Sequence, residues 1–404
     1  MLYIKLLRFL SIALFCSIMI ISCKPIRQLH IPFSIAKEEL SSKNDNVIRI
    51  YFDYLGSIYP NITIKDKEFR EQANALSCYY YSNPKKINTI SNQLDIPTIN
   101  KDIYKCNEYK PYNDPIQKAL IQNFADLINI KSKGKELIFI IHGFNTHPLD
   151  MRSSGAYQDM KKTREIINRP NREIQFVEIY WDGFSDQYGS CLMESFHAMK
   201  FWDNSQMSAV QSGLELRRLL SKIQKNRIKV FTHSHGAGVI TNALFNNEKF
   251  IQSEYNNDPV LYDIKHNKYQ SSKYKTPTSD FTIAMLAPAV PGENLFKYYY
   301  MRTTSSGNEN VPLNNYKFIV GFNSNDAVTT KKKILTKKFG STSLACKEDE
   351  LESTKKILNK DEVLMLSVDF SLLKNGKKQK KHSWIEYLKN DNAIDSFLNI
   401  FNSN

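Results

Sequence analysis

The stretch Lys229-Val230-Phe231-Thr232-His233-Ser234-His235-Gly236-Ala237-Gly238-Val239-Ile240 decides how this chain is read. A short apolar run ends in a polar, glycine-bearing turn, and an apolar segment continuing to Ala243 and Leu244 follows at helical spacing. Strand, sharp turn and helix in succession would hold Ser234 with its hydroxyl exposed at the turn. Such a turn needs small residues two before and two after the serine, because the two backbones approach closely there. Gly236 meets this requirement; the β-branched Thr232 departs from it.

Working outward from Ser234, short continuous apolar runs recur at Leu137 to Ile141, Gln175 to Tyr180, Ile228 to Phe231, Phe281 to Leu286, Tyr316 to Val320 and Val363 to Val368. Between them, Ser205 to Leu220 and Val239 to Phe250 carry helical spacing, and Asp114-Pro115 opens a further helix with an N-cap and a first-turn proline. Buried strands alternating with helices predict an α/β fold, a mostly parallel central sheet flanked by helices. The region before residue 133 is less explicit. Val47 to Tyr54 and Cys78 to Tyr81 read as strands, so early strands of the fold are expected within 47–132, and the core within 133–404.

In such a sheet, chemistry belongs in the loops beyond the carboxyl ends of the strands. The run Leu137 to Ile141 ends in His142-Gly143-Phe144-Asn145-Thr146, where a glycine turn would present backbone N–H groups suited to stabilising an oxyanion. The bland reading of the same residues is a satisfied core histidine and a simple turn. The run Tyr316 to Val320 leads into Gly321-Phe322-Asn323-Ser324-Asn325-Asp326, a loop with a carboxylate, and Val363 to Val368 is followed later by His382-Ser383-Trp384. Glu293, after the preceding run, is a rival acid. Ser234, Asp326 and His382 thus occur in the order serine, acid, histidine, each in a loop after its own strand.

From about Lys133 onward, the chain resembles the α/β-hydrolases. The pairing of Ile-Ile-His-Gly-Phe-Asn-Thr with Thr-His-Ser-His-Gly and the late His-Ser-Trp-x-x-Tyr-Leu is similar to bacterial hydrolases of esterase or lipase type. The resemblance implies Ser234 as nucleophile, Asp326 as acid, His382 as base, and oxyanion donors from the backbones of His235 and of Phe144 or Asn145. It implies a carboxylic ester as substrate and requires no cofactor. Two other readings stand beside it. One is a metal-dependent hydrolase using His233 and His235 with His142 or His147; the other is a non-catalytic surface lipoprotein with a degenerate hydrolase body, for which Thr232 is the best support.

Composition bounds these readings. With 404 residues, 42% hydrophobic and 24% charged, the chain can bury a large core, and 14 Gly and 14 Pro without a period exclude a collagen-like or linker-dominated polymer. The excess of 55 Lys+Arg over 41 Asp+Glu gives a net charge of +14. Lysine is interspersed with Asn, Ile and Tyr as in an A/T-rich coding bias, and no motif of arginines and aromatics accompanies it, so no nucleic-acid partner is expected. Lysine clusters at 331–333, 337–338 and 377–381 lie beside the acid and base loops; they read as a solvated charged face or as an attractor for an anionic headgroup. The polar stretch Gln252 to Asp280 reads either as a lid over the crevice or as a surface excursion.

Lys5 and Arg8, the apolar run Phe9 to Ile21, and Ser22-Cys23 have the layout of a signal peptide over residues 1–22, with an apolar run shorter than the about 20 residues a membrane-spanning helix needs. Ile20-Ile21-Ser22-Cys23 resembles the bacterial lipobox, which implies lipidation of Cys23 and a tether over 23–46. An uncleaved anchor with an incidental cysteine is the competing reading. The expectation is an exported bacterial lipoprotein held on a membrane, periplasmic or at the cell surface. Cys78, Cys106, Cys191 and Cys346 would remain in a compartment that permits disulfides, and the sequence does not choose among their pairings or set an oligomeric state.

Overall fold

The computed structural model describes residues 47–60, 75–97, 99–105, 111–144, 155–168, 172–183, 194–245, 277–292, 316–330, 342–359 and 363–403. All six apolar runs of the core are strands: β2 (Glu136–Ile141), β3 (Ile174–Trp181), β4 (Arg227–His233), β5 (Asp280–Leu286), β6 (Tyr316–Phe322) and β7 (Leu364–Asp369). One earlier strand, β1 (Ile48–Phe52), joins them at the edge beside β3. The expected parallel α/β sheet is present: among the described residues, seven strands in the order β1-β3-β2-β4-β5-β6-β7, every pairing parallel. The central residues of β2 to β6 are buried on both faces, which explains why they read as continuous apolar runs, while the edge strand β7 is only partly buried.

The helices are α1 (Leu76–Ser82), α2 (Pro84–Gln93), α3 (Pro115–Lys131), α4 (Ala156–Ile167), α5 (Glu194–Leu220), α6 (Gly236–Leu244), α7 (Glu348–Asn359), α8 (Trp384–Leu388) and α9 (Asp391–Asn402). α3 packs on α5 and α5 on α6, while α8 packs on both α4 and α9. The N-cap expected at Asp114 is formed, its carboxylate accepting the Ile116 N–H at 2.9 Å. Residues 78–81 are not a strand. They lie in α1, because Leu76, Tyr79 and Tyr80 share a helical face buried in the core. α5 begins well before Ser205, and α6 starts directly at Gly236, while residues 246–250 of the predicted helix lie outside the described part.

What matters for function is the order of the central strands. After β2 the chain crosses to β3 on one side and then returns to β4 on the other. The strand order therefore reverses at β2, and the loops after β2 and β4 diverge there, opening the crevice in which such sheets bind ligands. The loop after β2 carries Gly143 and the loop after β4 carries Ser234.

Cys78 is disulfide-bonded, and the buried Cys346 thiol donates to the Thr329 carbonyl at 3.2 Å. The segments 1–46, 252–276 and 331–341, with Cys23, all but the last four residues of the lid candidate and two of the lysine clusters, lie outside the described residues. Among the described residues no helix is long and apolar enough to cross a membrane.

Candidate active site

Ser234 sits at the tip of the turn between β4 and α6 with φ +52°, a left-handed conformation that costs a non-glycine residue about 1 kcal/mol or more. The turn is pinned from β5: the Ser234 N–H donates to the Leu286 carbonyl at 3.0 Å, and the Ser234 carbonyl accepts from the Ala289 N–H at 3.1 Å. The closest backbone approaches fall on glycines. A Cβ on Gly236 would stand 2.6 Å from the His142 carbonyl oxygen, and one on Gly143 would stand 2.8 Å from Ser234 Cβ. Thr232, the departure noted in the sequence, is paired within the sheet with Ile141 and Met285 and fully buried, so its branched side chain is accommodated in the strand.

The three residues that chain order singled out are brought together. His382, from the segment before α8, places Nε2 2.7 Å from Ser234 Oγ and Nδ1 2.7 Å from Asp326 Oδ2. An ionised carboxylate can only accept, so Nδ1 carries the proton and Nε2 is left to accept from the serine hydroxyl. Asp326, in the loop after β6, is fully buried. Its Oδ1 accepts the N–H groups of Val328 and Thr329 at 2.8 and 3.1 Å. Burial alone would raise its pKa, but the neighbouring His382 and hydrogen bonds from His382, Tyr387 and the Thr329 N–H outweigh it and bring the carboxyl down to about 2. The carboxylate is therefore ionised at neutral pH.

Two residues to which the sequence reading gave no role of their own complete this network. Tyr387 of α8 donates its hydroxyl to Asp326 Oδ2 at 2.5 Å, and Asn323 Nδ2 donates to the Tyr387 oxygen at 2.8 Å and to the Gln379 carbonyl at 3.0 Å. The acid loop and the base segment are thereby tied to each other. His233 adds a further tie, with Nε2 donating to the His382 carbonyl at 3.0 Å while its ring stacks on Trp384. Tyr387 is the tyrosine of the quoted His-Ser-Trp-x-x-Tyr-Leu pattern, whereas Asn323 carried only its spacing, three before the acid.

Among the described residues, the other histidines do not form a metal-ligand set. His142 is fully buried, donates Nδ1–H to the Gly143 carbonyl at 2.8 Å and accepts the Trp181 N–H on Nε2 at 3.1 Å; burial pushes its pKa down to about 4. His233 is turned toward Trp384 and His382, and His235 toward Trp181 and Trp202, with its Nδ1 3.2 Å from the Ala289 carbonyl. No cluster of three potential metal ligands occurs among the described residues. His147 and the rival acid Glu293 lie outside them.

Of the expected oxyanion donors, His235 immediately precedes α6, at the helix N-terminus where backbone N–H groups and the helix dipole favour negative charge. Phe144 follows Gly143 after β2, with its ring edge-on to Trp202 at 5.0 Å. Asn145 lies outside the described residues.

No protein-family model matches the chain, and no curated protein matches it in sequence. In structure it is similar to LpqC, a poly(3-hydroxybutyrate) depolymerase from Bordetella parapertussis, at 11% identity over 63% of this chain and 83% of that one, with a TM-score of 0.30.

Proposed function

We propose that the protein is a serine hydrolase of the α/β-hydrolase kind, cleaving carboxylic esters through an acyl-enzyme intermediate. One observation carries the reading: Ser234 Oγ, the His382 ring and the Asp326 carboxylate form an unbroken hydrogen-bonded line at the point where strand order reverses. A serine hydroxyl is a weak nucleophile unless a base sits within reach and is itself oriented. His382 is that base and Asp326 its orienter.

In the proposed mechanism, Oγ attacks the ester carbonyl carbon as its proton passes to His382 Nε2. The imidazolium that forms is stabilised by Asp326, which stays ionised. The carbonyl oxygen becomes an oxyanion held by the backbone N–H of His235 and by that of Phe144 or Asn145; one such donor typically contributes about 10²- to 10³-fold in rate. Collapse breaks the ester C–O bond, and His382 returns the proton to the leaving alcohol. Water, deprotonated by the same ring, then attacks the acyl-serine, and the acid departs with Ser234 restored.

The reading extends to location: a lipid on Cys23 and the tether 23–46 hold the body on a membrane outside the cytoplasm, where acyl esters of lipids are at hand. The test is a chain-length series of chromogenic esters with the wild type, Ser234→Ala and His382→Ala. Hydrolysis by the wild type, with both variants near background, is the expected result. Equal turnover by all three would end the assignment.

A further inference from the structure

From Phe370 to Ile385 the chain carries no carboxylate, yet it holds Lys374, Lys377, Lys378, Lys380 and Lys381. All five are exposed. Some surface lysines elsewhere lie beside acids: Lys161 and Lys162 near Glu165, Lys355 near Glu352, and Lys389 near Glu386. In this segment Lys381 reaches Glu386 at 3.5 Å, and the other four make no ion pair among the described residues.

The charges are held in place. Leu372 and Lys378 form an antiparallel bridge, the Leu373 N–H donates to the Lys377 carbonyl at 2.8 Å, and Gly376 closes the turn with φ +75°. The Ala327 N–H donates to the Lys380 carbonyl at 3.2 Å, which fastens the basic turn to the acid loop one residue from Asp326. Lys381 is directly followed by His382. Two aliphatic side chains are exposed on the same pair of segments, Leu372 at 54% and Val328 at 45%.

We propose that the basic turn 372–381, with the acid loop at Val328, is a docking surface for an anionic phospholipid bilayer that brings the mouth of the Ser234 crevice to the membrane. The chemistry favours a bilayer over a nucleic acid. Lysine is a point charge that needs no partner of fixed geometry. The turn has no arginine, and the aromatic residues of the 370–385 segment, Phe370 and Trp384, are buried, so nothing is available to stack on bases. Exposed leucine and valine beside lysines suit the boundary between headgroups and acyl chains. What docking does for catalysis rests on the hydrolase reading; the binding itself does not.

The test uses the full chain carrying Cys23→Ala, so that lipidation at that position does not contribute. Binding is compared on vesicles of phosphatidylcholine alone and of phosphatidylcholine with phosphatidylglycerol. Each lysine near an anionic surface strengthens binding by about fivefold. The protein should therefore prefer the anionic vesicles by at least about tenfold, and joint Lys374→Gln, Lys377→Gln, Lys378→Gln and Lys380→Gln substitution should remove at least about tenfold. A matched loss of charge elsewhere, at Lys101, Lys105, Lys161 and Lys162, should change binding by less than about threefold. Ser234→Ala should bind like its parent, so an inactive protein leaves the result readable. Equal losses in the two quadruple variants, no preference for anionic vesicles, or a DNA duplex or polyglutamate displacing the vesicles at matched charge would each overturn the proposal.

Discussion

Asp326 Oδ2 accepts two hydrogen bonds, from the ring that faces Ser234 and from the Tyr387 hydroxyl, and the second fixes the carboxylate independently of the first. A hydrogen bond to a charged group is worth about 1.5–3 kcal/mol. Tyr387→Phe should accordingly lower kcat by about tenfold or more while KM changes little, because the lost contact steadies the base and touches no substrate. Steady-state kinetics decides this, and an unchanged kcat would remove Tyr387 from the account. At this scale Ser234, Asp326 and His382 were legible because each follows its own apolar run and their chain order is informative. Asn323 was not, since an Asn in a polar loop acquires its role only from a neighbour folded against it; Tyr387 stood in the quoted His-Ser-Trp-x-x-Tyr-Leu pattern, but its hold on Asp326 comes only from the folded helix. His142 was legible in the bland sense, a satisfied buried histidine in front of a turn.

The strands were the most legible elements, since a run buried on both faces needs no alternation and its flanking polar residues mark its ends. α1 was misread because Cys78 to Tyr81 has the side chains of a strand, whereas tertiary burial of Leu76, Tyr79 and Tyr80 selects the helix. α9 was legible in principle, since Ile394, Phe397, Leu398 and Phe401 recur at helical spacing and form its buried face; what the sequence hides is how its end is held, by Lys229 and Lys317 from β4 and β6, which reach the carbonyls of Asn402 and Ile400 at 3.3 and 3.0 Å. The turn after β2 gives the sharpest prediction at this scale. The added methyl of Gly143→Ala would meet Ser234 Cβ at 2.8 Å, so the serine must shift. Activity should fall by at least about a hundredfold for a displacement near 1 Å, while the urea midpoint moves little. Full activity in this variant would mean that the turn and the serine are not coupled as described.

Across the whole molecule, buried histidines couple stability to pH. The folded protein holds His142 neutral with a pKa of about 4, below the ordinary value of 6.5. Its contribution is therefore fully present above pH 6.5 and is lost as pH falls through about 4, an effect on the order of 3 kcal/mol. Replacement by Gln, which can still donate and accept, removes the titration. The stability difference between the wild type and His142→Gln should thus shrink in the wild type's disfavour by about that amount from pH 7 to pH 4. Urea unfolding at a series of pH values measures it, and a difference independent of pH would contradict the assignment. The sheet that buries His142 also sets Ser234 at its switch point, and the central claim is that this serine is an activated nucleophile. Treatment of the folded protein with a fluorophosphonate, followed by mass spectrometry of the intact chain and its peptides, tests that claim most directly. A single adduct on Ser234, absent from Ser234→Ala and formed far more slowly by His382→Ala, is expected; a folded wild type that stays unlabelled, or labels equally fast without His382, would contradict an activated serine.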